Sequence, residues 1–180
     1  GGVLLESKLV NEILKTISSE EVVDGHIIRL ALNINLEVEK TEKTNTFHAF
    51  WRQKELSMSS INEIVSRGVK TLKKRTDVYA DEKIATEMQK ELTKEDHKYS
   101  LATIISTLEV DKRIKRTKEG FGLMTWRHIN PKSIRDKAYI ILKLEKKPLH
   151  FVDIANKITT ADFDKKVVTT QAVHNELIRY

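Results

Sequence analysis

The feature that most constrains this chain is an internal repeat with an offset of about 70 to 75 residues. Leu36-Glu37-Val38-Glu39-Lys40 recurs as Leu108-Glu109-Val110-Asp111-Lys112. Trp51-Arg52 follows the first run and Trp126-Arg127 the second. Each Trp-Arg precedes a helix-start signal, Ser60-Ile61-Asn62-Glu63 in one copy and Ser133-Ile134-Arg135-Asp136 in the other. A hydroxyl at the N-cap with a carboxylate three residues on satisfies amides of the first turn that have no partner inside the helix. Further along, Ile84-Ala85 matches Ile154-Ala155. A chain of 180 residues with this pattern reads as a row of small units with loops of slightly different length.

Apolar spacing gives the content of one unit. Ile61, Ile64, Val65, Gly68, Val69 and Leu72 form a helical stripe, matched by Ile134, Ala138, Ile141 and Leu142. A second helix carries Ile84, Ala85, Met88 and Leu92, or Phe151, Ile154, Ala155 and Ile158. A third carries Leu101, Ile104, Ile105 and Leu108, with an earlier version at Ile27, Leu30, Ala31 and Ile34. Residues 113–117 and 121–126 then alternate like two strands around Glu119-Gly120. Three short helices and a hairpin make a winged helix. The fold expected is mainly α with small β-hairpins, as tandem winged-helix (helix-turn-helix) units.

Laid along the chain, a partial unit is expected over residues 1–56, without its first helix. A complete unit follows over 57–129, and a unit lacking its wing over 130–180. The pattern is incomplete at both ends, so the chain reads as a piece of something longer. Trp51 and Trp126 are expected to anchor the hairpins, because large aromatic side chains are mostly buried.

The third unit carries a family resemblance. Ala138-Tyr139-Ile140-Ile141-Leu142, Pro148-Leu149-His150-Phe151, Asp153-Ile154-Ala155 with Ile158, and the run from Thr169 to Leu177 together resemble the HARE-HTH domain. That winged helix is shared by the N-terminal domain of the RNA polymerase delta subunit, Asx-like chromatin proteins and some restriction enzymes. The stretch from Trp126 to Glu176 is also similar to bacterial proteins that carry this domain behind a sigma-factor-like helix-turn-helix. The resemblance implies a role in transcription, through DNA or through RNA polymerase. It covers about a quarter of the chain.

Composition narrows the chemistry. No cysteine is present, which excludes disulfides, thiolate metal sites and a nucleophilic thiol, and fits a cytoplasmic location. The histidines at 26, 48, 97, 128, 150 and 174 lack metal-ligand spacing. No glycine-rich phosphate loop and no catalytic constellation stands out. Binding without catalysis, cofactor or metal is expected, and no apolar run is long enough for a membrane span.

Charge is uneven. Residues 1–96 hold 15 Lys and Arg against 17 Asp and Glu, a net of −2, whereas residues 97–180 hold 17 against 9, a net of +8. A basic half points to a polyanion partner, double-stranded DNA above all. Lys112, Arg113, Lys115, Arg116 and Lys118 crowd one expected wing, where they could meet phosphates. The same charges could instead guard a strand edge against aggregation. Thr170, Gln171, His174, Asn175 and Arg179 would face the major groove from the last third helix, or simply be solvated. The alternative to DNA binding is a protein-interaction module docking on RNA polymerase.

Overall fold

The computed structural model describes residues 2–17, 21–93, 98–161, 163 and 167–179. The described chain is mainly helical with two small antiparallel sheets, and it divides into two compact units, 1–123 and 124–180.

In the first unit, strand β1 (Val3–Leu5) leads into helices α1 (Glu6–Ile17) and α2 (Glu21–Ile34), then strands β2 (Val38–Thr41) and β3 (Phe50–Gln53). The sheet order is β1-β3-β2, all antiparallel. Helix α3 (Met58–Arg75) comes next, followed by α4 (Asp81–Thr93), α5 (Leu101–Glu109) and the hairpin β4 (Ile114–Arg116) to β5 (Phe121–Leu123). Strand β1 has no counterpart among the sequence expectations, since three residues are too few to carry a period. Helix α3 begins two residues before the Ser60 signal. Its cap is Ser57, whose hydroxyl accepts from the Ser60 amide at 3.1 Å.

The two copies share one connectivity. Phe50 pairs with Leu5 on one side and Thr41 on the other. Phe121 pairs with Tyr79 on one side and Arg116 on the other, with two 2.9 Å backbone bonds to Tyr79. Phe50 and Phe121 are both fully buried. In this register Trp51 corresponds to Gly122, not to Trp126. The Trp-Arg match is therefore a coincidence of sequence. Trp51 sits in β3 at 4% exposure, whereas Trp126 lies beyond β5, half-buried in a turn, its ring stacked on His128 with centroids 5.4 Å apart. The strand expected over 121–126 ends at Leu123.

The boundary expected near residue 56 falls inside a common core. Val3, Phe47 and Phe50 of the first copy pack with Ile61, Val65 and Val110 of the second. The loop between β2 and β3 is also stitched to the end of α5: His48 N donates to Val110 O, and Lys112 N to Thr46 O, both at 2.9 Å. Fully burying each such apolar side chain contributes about 1.5–3 kcal/mol. Separating the copies would expose all of them.

The second unit has α6 (Ile134–Glu145), α7 (Phe151–Ala161) and α8 (Thr170–Ile178). Ala138, Ile141, Ile154, Ala155, Ile158 and Val173 form its core. The Ser133 signal is a complete capping box: Ser133 Oγ accepts from the Asp136 amide at 3.0 Å, and the Asp136 carboxylate accepts from the Ser133 amide at 3.3 Å. Lys146 ends α6 in the left-handed region at φ 54°.

Candidate nucleic-acid interface

The hairpin β4–β5 is short and tightly closed. Thr117 N donates to Gly120 O at 2.7 Å, and the Thr117 hydroxyl donates to the same oxygen at 2.9 Å. Gly120 holds φ 138°, and a Cβ there would stand 2.2 Å from Tyr79 O. Only glycine lets the strand come this close to the Tyr79 backbone. Ile114 points inward at 5% exposure, while Lys115 and Arg116 are exposed. The inward Ile114 and outward Lys115 match the alternation expected for a strand.

The basic cluster behaves differently from a free cationic patch. Arg113 folds back onto Asp111, which is fully buried; Nη2 lies 2.7 Å from Oδ2 and the Arg113 amide donates to Oδ1 at 2.7 Å. Arg116 reaches Asp81 at 2.5 Å and also binds Glu109, whose side chain is 6% exposed. The hydrogen bond that Arg113 donates to Asp111 holds it more firmly protonated than usual, and the one that Arg116 donates to Glu109 does the same there. Glu109 accepts a further ion pair from Lys8 at 2.5 Å. Lys112 Nζ donates to the Thr44 carbonyl. Lys115 and Lys118 are exposed on the same hairpin, and Lys118 makes no ion pair among the described residues.

Sequence reading missed the acids that neutralise the arginines. Glu109 and Asp111 were visible, since they belong to the repeated motif, but the motif does not say that they turn toward the hairpin. Asp81 is 35 residues from Arg116 and gave no signal.

The third helix of the second unit brings part of its expected set together. Thr169 caps α8 by accepting from the Ala172 amide at 3.3 Å. Thr170, Gln171, Asn175 and Arg179 are exposed, and Gln171, Asn175 and Arg179 repeat every fourth residue along one face. Gln171 Nε2 donates to Asn175 Oδ1 at 2.8 Å, which fixes both amides in one row. His174 stands apart from them. It is half-buried, with its ring 4.8 Å from that of Phe151, and serves the packing of α7 against α8.

A basic surface that sequence reading passed over lies on the last turns of α3. Lys70, Lys73 and Lys74 are exposed and make no ion pair among the described residues. They were hidden in a half of the chain whose net charge is slightly negative. Placed at the C-terminal end of a helix, they also complement its dipole. The adjoining groove, about 380 Å³, mixes Lys70 and Lys74 with Glu63 and Glu91, so it is not an anion pocket. Among the described residues no group of three His, Cys, Asp or Glu side chains could hold a metal ion, and no helix is long and apolar enough to cross a membrane.

Compared with known proteins, the chain matches no family model, no curated protein and no solved structure.

Proposed function

We propose that this chain is a transcription-associated, double-stranded DNA-binding protein of the cytoplasm, built from tandem winged helices of which the last is of HARE-HTH type. The observation that carries the reading is the repeated connectivity. A strand residue, two helices and a hairpin recur, with the last strand held between the first and the second. That order is how a winged helix is wired, and winged helices commonly present their third helix to the major groove.

Within this reading the contacts are shared unequally. The Gln171, Asn175 and Arg179 row is the candidate for base contacts, since side-chain amides pair with adenine and guanidinium with guanine. Lys115 and Lys118 are the wing residues that would meet phosphates. Arg113 and Arg116 are held in internal ion pairs and contribute to the wing's shape. Catalysis and cofactors have no place in the mechanism.

One observation favours the second reading, docking on RNA polymerase without DNA contact. The wing's two arginines are neutralised from within, which leaves a weak field for a duplex. Titrating two unrelated duplexes over a salt series separates the two. DNA binding predicts affinity that falls with salt for both duplexes. The log–log slope should shrink by about one unit for each phosphate that Lys115→Ala or Lys118→Ala no longer neutralises. Gln171→Ala and Asn175→Ala should instead change preference between duplexes by about 1–3 kcal/mol per base pair. Absence of salt-dependent binding to either duplex sinks the DNA reading and favours the polymerase.

A further inference from the structure

Helix α2 occupies the third-helix position of the first copy, yet its outer face has the opposite character to that of α8. Ile27, Leu30 and Ile34 are 58%, 63% and 72% exposed, and Leu36 just beyond the helix is 82% exposed. Ala31 completes the row and is exposed. The α5 counterpart offers Thr103 and Ser106, and α8 offers Gln171 and Asn175. Four large apolar side chains within ten residues expose on the order of 500 Å², near the top of what a monomer's largest apolar patch shows. No hydrogen-bonding group in this row could read a base.

The row is mirror-symmetric in sequence. Ile27, Leu30, Ala31 and Ile34 are related by reflection through the midpoint of Leu30 and Ala31. We infer that two copies of this chain pair through α2, antiparallel, about a two-fold axis at that midpoint. Ile27 of one copy then meets Ile34 of the other, and Leu30 meets Ala31, the small side chain that lets the helices approach. A two-fold contact of this kind must be self-complementary, and this row is. Antiparallel packing also sets each helix N-terminus beside a C-terminus, the favourable arrangement of dipoles. Between residues 26 and 35 Arg29 is the single full charge, and it lies 3.6 Å from Glu6 of its own chain, so like charges do not oppose one another along the row. Two copies would remove on the order of 1,000 Å² from water, the lower bound of a specific interface, so a weak, concentration-dependent dimer is expected. The inference is independent of the DNA reading.

Sedimentation of the full chain from about 1 to about 300 µM tests it, a range suited to so small an interface. The wild type should shift from monomer to dimer. Leu30→Lys should remain a monomer with unchanged helical circular dichroism, because the replaced side chain is exposed. The chain lacks cysteine, so introduced thiols report geometry without background. Ile27→Cys mixed with Ile34→Cys should form a mixed disulfide under mild oxidation. Either variant alone should cross-link several-fold less, because its two thiols would sit seven residues apart along the axis, about 10 Å, beyond the roughly 7 Å Cα limit of a disulfide. A wild type that stays monomeric throughout overturns the pairing and leaves the row to a different protein. Dimerisation undisturbed by Leu30→Lys overturns it as well. So does like-with-like cross-linking as efficient as the mixed reaction.

Discussion

The guanidinium of Arg113 lies 2.7 Å from the carboxylate of Asp111, an acid without exposed surface, two residues earlier in the same turn. A buried carboxylate without a partner is costly, so the arginine is needed at home before it is available to any ligand. Arg116 stands in the same relation to Glu109 and Asp81.

Arg113→Ala should therefore destabilise the first unit by about 1–3 kcal/mol, through the acceptor left unsatisfied. Arg116→Ala should cost about 1 kcal/mol, reduced because its guanidinium is partly solvated. Urea unfolding measures both. Neither change should alter the salt dependence of any duplex binding. A cost below about 0.5 kcal/mol for Arg113→Ala would mean the pair contributes nothing and the charge is free for a partner.

The two tryptophans should separate. Trp51→Ala removes a ring at 4% exposure from β3 and should cost about 3–5 kcal/mol. Trp126→Ala removes a half-buried ring held by stacking on His128, and about 1 kcal/mol is expected. Thermal unfolding of each variant provides the comparison. Equal losses would restore the hairpin-anchor role expected for Trp126.

Gly68→Ala should destabilise, although alanine is the better helix former by about 1 kcal/mol. A Cβ at Gly68 would lie 2.2 Å from Cδ2 of Leu108, and Leu108 is fully buried. Overpacking of that kind costs about 1–3 kcal/mol, enough to cancel or exceed the gain. A rise in melting temperature for Gly68→Ala would mean that Leu108 has room to turn away.

Tyr79 and Glu87 should make stability depend on pH in a stated direction. The Tyr79 hydroxyl donates to Glu87 at 2.7 Å, and Arg75 binds the same oxygen. Tyr79 first and Arg75 second hold the Glu87 carboxyl below its ordinary value. A carboxylate depressed by folding stabilises above its unfolded pKa, about 4.3. That stability is lost as pH falls through the folded value. Tyr79→Phe should thus cost about 1 kcal/mol near neutral pH. The gap from wild type should close below about pH 4. A gap constant across that window would show that the hydroxyl acts by packing rather than by binding the carboxylate.

Local signals carried the helices. The stripe from Ile61 to Leu72, the Ser133–Asp136 box and the Thr170 start each act within a few turns of chain, so their residues suffice to specify them. The boundary expected near residue 56 was not legible in this way, because Val3 and Phe50 pack with Ile61 and Val65 in one core that only the fold assembles. The Trp-Arg correspondence failed because a strand's register is set by its neighbours. Phe50 and Phe121 become equivalent only once Leu5 and Tyr79 lie beside them, and both partners are remote along the chain.

The candidate site divides along the same line. Sequence alone determined which side chains share a face of α8, because a helix fixes Gln171, Asn175 and Arg179 by periodicity. It likewise determined that positive charge gathers at residues 112–118. Whether that charge faces outward was decided by the tertiary structure. The acids that hold Arg116 come from α4 and α5, and the Lys8 that shares Glu109 comes from α1. Electrostatic pairing depends on distance through space, and only the fold brings residues 8, 81, 109 and 116 to one place.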